Sequence, residues 1–244
     1  MLKMLKADFY KIFKSKMLLA FFIIALSLSL LNPILHAVDM PDYTVYYNFR
    51  QPGILYGVLW IFIIPFVCKD LSSRYMKNLI PVYSEKDKFC YVLSKAFYIF
   101  VFCILFMLLN FVFEIILNYS FGIGRMHGKE FFTVEEFYLF FLCSTLSSVA
   151  IGTVLLFLCV LVKKEYIVTI IVLPYLLFLC HLIYDAIDRA VGGGFRIELY
   201  TIFGLDSTLC GIDKNGLVTG IYLSLGYIVF FTVSSWLVFR KRSF

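Results

Sequence analysis

Six stretches of this 244-residue chain carry no formal charge and are each long enough to cross a bilayer. They cover Met17–Val38, Gln51–Cys68, Ala96–Phe113, Phe137–Val162, Tyr166–Tyr184 and Asn215–Phe239. A hydrocarbon core of about 30 Å is crossed by roughly 20 helical residues. Backbone groups in lipid have to be satisfied within the chain, so spans of this length are helices. The ten-residue alternation of a transmembrane barrel strand is absent. With 62% hydrophobic and 16% charged residues, the composition excludes both disorder and an ordinary water-soluble globule. The expected fold is all-α: one membrane domain over 1–244, with an N-terminal interfacial helix over 1–16. Spans are expected near 17–38, 51–68, 96–118, 137–162, 166–184 and 215–239.

The basic residues between these runs alternate in density. Segments 1–16, 69–95, 163–164 and 240–242 hold sixteen Lys and Arg, and the opposite loops hold six. Basic residues accumulate on the cytoplasmic side. Both termini and the 69–95 loop are therefore expected in the cytoplasm, with the protein multi-pass in a plasma membrane. The net charge of +6 is a topology signal, and no folded basic face points to a nucleic-acid partner. The first apolar run is longer than a typical signal-peptide core, and no A-x-A site follows it. It reads as an uncleaved anchor.

Seven cysteines are scattered along the chain without a C-x-x-C pair, and five of them lie in or at the ends of spans. This argues against a disulfide framework or a zinc site and for small apolar packing residues.

Leu2, Leu5, Phe9, Ile12 and Phe13 recur at helical spacing, with Lys3, Lys11 and Lys14 on the other face. This pattern suits a helix lying in the inner membrane interface, its lysines near anionic lipid. The alternative is an unstructured basic flank. In the 69–95 loop, Pro81 is a break. Ser84 then stands three residues before Asp87 as a helix-capping pair. Phe89, Val92, Leu93 and Ala96 follow at i, i+3, i+4 and i+7. A short amphipathic helix is thus expected to run into the third span. Such a helix can transmit force, and it can equally be a solvated entry turn.

Within the third span, Asn110, Glu114 and Asn118 are spaced four apart and share a face. An intramembrane carboxylate is a functional hypothesis by default, here a substrate path or a subunit contact. Near the outer end of the span, Glu114 can also simply reach the interface. Ser144, Ser148 and Gly152 in the fourth span, and Gly216, Gly220 and Ser224 in the sixth, form small-residue stripes that let helices approach closely. Pro33 and Pro174 are expected to kink their helices. Segment 185–216 contains Gly192-Gly193-Gly194 and a second apolar stretch too short to span. It reads as a re-entrant or interfacial helix, or as a folded outer loop.

Catalytic motifs are missing. There is no phosphate-binding G-x-x-x-x-G-K-S/T, no H-E-x-x-H and no G-x-S-x-G. His181 and Asp185 are one helical turn apart, a spacing that suits a proton or a metal ion. No enzyme activity and no cofactor are expected of this chain itself, so energised work would draw on a partner.

Three stretches carry a family resemblance. Leu5-Lys6-Ala7-Asp8-Phe9-Tyr10-Lys11 with Lys14-Ser15-Lys16 looks like an elbow helix. Phe66 to Asp70 with Met76-Lys77-Asn78-Leu79 looks like an acidic residue followed by a G-T-I-K-N-L signature, Arg74 standing where that signature has glycine. Tyr91 to Lys95, with Ser94-Lys95, looks like the entry into the third span. With the six-span layout, the chain resembles the membrane subunit of ABC type 2 exporters, and in length the permeases of lantibiotic immunity and antimicrobial-peptide export. That resemblance implies two separate ATPase subunits that bind ATP and Mg, and a second permease chain, identical or homologous. It implies a bacterial plasma-membrane location and an amphipathic or lantibiotic-type peptide as cargo. It also implies a coupling helix over Ser84 to Lys95, with Ser84, Asp87, Phe89, Val92, Leu93 and Lys95 as ATPase-coupling residues. The competing reading is a stand-alone channel or a non-catalytic membrane sensor or scaffold subunit.

Overall fold

The computed structural model describes residues 53–73, 83–121, 134–162, 164–174, 180–190 and 214–241, together with Lys6, Tyr10, Lys14, Ile23 and Ser27. The described segments form six helices: α1 (Gly53–Ser72), α2 (Glu85–Phe121), α3 (Val134–Val162), α4 (Glu165–Pro174), α5 (Cys180–Ala190) and α6 (Lys214–Lys241). No strand occurs among the described residues. Stretches of α2, α3 and α6 are long and apolar enough to cross a membrane, namely Glu85–Leu109, Tyr138–Val162 and Gly216–Lys241. The protein is thus an all-helical membrane protein.

The long helices differ from the apolar runs at their ends. α2 is one helix of 37 residues, about 55 Å at 1.5 Å per residue. It contains neither glycine nor proline, so nothing interrupts it between its polar start and the span. α1 continues past Cys68 through Lys69 and Asp70 to Ser72, because charge ends the apolar run without ending helix propensity. The fifth expected span is described as two helices, α4 of 10 residues and α5 of 11, and residues 175–179 between them lie outside the described set. α5 carries on beyond Tyr184 to Ala190. The first span apart from Ile23 and Ser27, the bulk of the 1–16 elbow, Pro33 and most of segment 185–216 also lie outside it. Of the elbow, Lys6, Tyr10 and Lys14 are helical, and Lys14 Nζ sits 5.0 Å above the Tyr10 ring.

α3 is the central helix and packs against α1, α2, α4 and α6. Its hydroxyls face inward. Ser144, Thr145, Ser147, Ser148 and Thr153 are all buried. Ser147 and Ser148 donate to the Ser144 carbonyl at 2.9 and 2.8 Å, and Thr153 donates to that of Ala150 at 2.7 Å. Bonding back to their own helix lets these residues act as small packing units. Gly152 lies against two neighbouring helices: a Cβ there would meet Ile99 Cγ2 of α2, and Ile63 Cδ1 of α1 at 3.3 Å. On α6, Gly220 and Ser224 are buried, and Ser224 donates to the Gly220 carbonyl at 2.7 Å. The other side of α6 presents Tyr222, Val229 and Phe230 outward, as expected of a surface facing lipid or protein.

Candidate functional site

Five helix termini meet at one end of the bundle: the ends of α1, α3 and α6 and the starts of α2 and α4. At the start of α4, the backbone N–H of Ile167 and of Val168 donate to the Lys164 carbonyl at 3.1 and 3.2 Å. The segment 83–95 and the end of α6 meet here, where Arg240 pairs with Glu85.

At the centre of this end lies a buried charge pair. Asp70, in the last turn of α1, and Lys95, in the third turn of α2, approach to 2.9 Å. The Lys95 side chain is 0% exposed and that of Asp70 10%. The Tyr91 hydroxyl donates to the same Asp70 Oδ2 at 2.9 Å. Lys95 Nζ also lies 4.2 Å above the Phe66 ring and 5.2 Å from that of Tyr91. The ammonium is therefore enclosed by one carboxylate and two aromatic faces, which together offset its removal from water. Tyr91 in turn stacks on Phe239 near the end of α6, at 5.1 Å between ring centres, and Phe239 is fully buried. Through Phe66, Asp70, Tyr91, Lys95 and Phe239 the site ties three helices together.

The start of α2 is the exposed rim of this site. Ser84 is the N-cap. Its carbonyl accepts from the N–H of Lys88 at 3.0 Å, its Oγ accepts from the N–H of Asp87 at 3.2 Å, and Asp87 Oδ2 accepts from the N–H of Ser84 at 3.3 Å. Ser84 Oγ also donates to Asp87 Oδ2 at 2.6 Å. This is the reciprocal capping box expected from the spacing, with aspartate in the reaching-back position. One turn on, Phe89 packs edge-on against Trp236 of α6 at 5.6 Å. Arg240 lies 5.8 Å from the Trp236 ring and pairs with Glu85 at 2.7 Å.

In the segment Ser84 to Lys95, the residues expected to couple to an ATPase divide between surface and interior. Val92 is 1% exposed and Lys95 0%, so both belong to the core of this chain and offer no surface to a partner. Of the apolar stripe, Val92 and Ala96 are turned inward, because α1, α3 and α6 supply the apolar neighbours a bare cytoplasmic helix would lack. Ser84, Asp87 and Phe89 remain accessible, and Leu93 is half-buried. Asn110, Glu114 and Asn118 are on the helical backbone of α2, and His181 and Asp185 on that of α5. Their side chains lie outside the described set. Among the described residues no cluster of His, Cys, Asp and Glu suits a metal ion.

Sequence reasoning singled out Asp70 and Lys95 separately and did not join them. Two lone charges flanking apolar runs read as ordinary membrane flanks. The signal that could have joined them is their shared position one to three turns from a hairpin connection, on helices that must run antiparallel. Trp236 and Phe239 were also missed, because an aromatic residue near the end of a span reads as an interfacial anchor. No protein-family model matches this chain, and no curated protein is significantly similar to it.

Proposed function

We propose that this chain is the permease subunit of an ATP-driven exporter of the ABC type 2 class, working with two separate ATPase subunits and a second permease chain. The observation that supports this reading best is the Asp70–Lys95 pair. Its two charges come from the two separate stretches, Phe66 to Asp70 and Tyr91 to Lys95, in which the resemblance to that class resides. A pair shared between them makes the end of α1 and the start of α2 one mechanical unit. The accessible, capped turn Ser84 to Phe89 leads without a break into the membrane-crossing part of α2. Displacement of that turn by an ATPase would be carried along the helix instead of being absorbed at a hinge. Glu85, Lys86, Asp87 and Phe89 form the accessible surface for such a contact. The inward-facing Val92 and Lys95 hold the helix in register. Cargo of the amphipathic-peptide class follows from the resemblance in length and layout.

The test is co-purification of the full chain with a candidate ATP-binding-cassette subunit from a shared membrane, followed by ATP hydrolysis in liposomes. Retention of the ATPase and stimulation of hydrolysis by a cationic amphipathic peptide are expected. A chain that conducts or transports in liposomes with no ATPase present would instead support the stand-alone channel.

A further inference from the structure

The start of α2 is joined to the end of α6 by Glu85 with Arg240, Phe89 with Trp236 and Tyr91 with Phe239. Pairing advances along α2 as it retreats along α6, so the two helices run antiparallel. Further along, the face of α6 that carries Trp236 is open. Val233 and Val229, three and seven residues before Trp236, are exposed, Val229 to 63%, and Phe230 beside them to 65%. On the facing side of α2, Leu93 and Phe100 stand four and eleven residues after Phe89. Leu93 is half-buried and Phe100 exposed. The helices therefore part as they leave this end. Between them lies an apolar cleft whose apex is the Phe89–Trp236 contact.

The lip of this cleft is basic. Successive helical residues turn by about 100°, and antiparallel helices turn in opposite senses when seen from one end. Lys86 and Lys241 each follow a member of the Glu85–Arg240 pair, so they stand on the same side of the seam. Both are exposed, and neither forms an ion pair among the described residues. Of the acidic residues in these turns, Glu85 is matched by Arg240 and Asp87 is bound to Ser84. The same side of α6 continues from Lys241 through the exposed Leu237 and Val233, and the same side of α2 from Lys86 through Leu93 to the exposed Phe97. The apolar spans of α2 and α6 begin and end here, which sets the two ammonium groups at the edge of the membrane.

We propose that the α2–α6 cleft is a binding site for an anionic glycerophospholipid, its acyl chain between Phe100 and Val233 and its phosphate at Lys86 and Lys241. Lysine stems lie along apolar surface while their charged ends reach the headgroup layer. A zwitterionic lipid brings a phosphate already matched by its own cation. A second copy of this chain, docked by twofold symmetry, would bring the same lysines to the lip and be repelled. This inference goes beyond the transport reading and does not depend on it.

Trp236, at the apex, reports the occupant. The full chain carrying Trp60→Phe, which leaves Trp236 as the single tryptophan, is placed in phosphatidylcholine liposomes with a small fixed fraction of acyl-brominated lipid. The brominated lipid is phosphatidylglycerol in one arm and phosphatidylcholine in the other. Stronger quenching by brominated phosphatidylglycerol is expected. Lys86→Gln and Lys241→Gln are each expected to lower that preference about fivefold, as befits one cation near an anionic headgroup. Lys164→Gln, which removes the same charge at the start of α4, leaves the preference in place. Equal quenching in the two arms overturns the proposal. So does an absence of quenching in both, which would show the cleft covered by protein. An equal loss in Lys164→Gln also overturns it, since anionic lipid would then be gathered by overall charge alone.

Discussion

Asp70 and Lys95 meet at 2.9 Å in the interior of the helix bundle, the lysine side chain wholly shielded from solvent and the aspartate nearly so. Breaking a buried pair by removing one partner costs about 3–5 kcal/mol, because the survivor is left charged and unpaired. Lys95→Met and Asp70→Asn are each expected to lower the thermal unfolding midpoint in detergent by several degrees. The double variant is expected to recover part of the loss, since neither uncompensated charge remains. A double-mutant cycle on the unfolding midpoints measures the coupling. Strictly additive losses would show that the two side chains do not depend on each other.

The exposed pair nearby behaves differently. Arg240 and Glu85 are 2.7 Å apart, but their side chains are 45% and 63% exposed. Surface pairs contribute about 0–1 kcal/mol and are screened by salt. Glu85→Gln is expected to leave the unfolding midpoint unchanged at 0.5 M salt, in contrast with either substitution at the buried pair.

Ser84 caps α2 through its reciprocal bonds with Asp87. Replacing a capping serine by alanine costs about 1 kcal/mol. Ser84→Ala is therefore expected to speed amide hydrogen exchange at residues 85–88 about fivefold, without changing exchange in the buried part of α2. An unchanged exchange rate would mean that neighbouring helices, not the cap, hold the first turn.

Gly152 has no room for a side chain between Ile99 and Ile63. Overpacking of this kind costs about 1–3 kcal/mol. Gly152→Ala should lower the unfolding midpoint, and Ile99→Ala in the same chain should restore part of it. Equal stability of Gly152→Ala and the wild type would mean that α2 and α3 separate at no cost.

Phe89 lies on the accessible turn and against Trp236 at once. Phe89→Asp removes an aromatic contact worth about 0.5–1.5 kcal/mol. Within the proposed exporter it is expected to release the ATPase or to uncouple hydrolysis from transport, whereas Lys88→Gln has little effect. In a chain whose Trp60 is replaced by phenylalanine, the emission of Trp236 reports whether the local contact is lost. A Phe89→Asp chain that keeps both the ATPase and wild-type transport would remove this turn from the coupling surface.

The all-helical class, the approximate extents of α3 and α6, the capping box at Ser84 and the placing of small residues on packed faces were legible in the sequence. Each depends on local chemistry or on transfer into lipid, which a linear pattern records: a run of apolar residues, a serine three before an acid, a glycine every fourth position. The continuity of α2 was legible too, since nothing between Glu85 and Phe121 breaks a helix. Other features depend on which faces of different helices turn toward one another. Lys95 reads as a solvated flank until α1 brings Asp70 beside it. Val92 reads as an anchor for a partner until α2 turns it inward. Burial and pairing are properties of neighbours distant in the chain, and only the packed bundle decides whether a charge is screened by water, enclosed by aromatic rings or matched by an opposite charge.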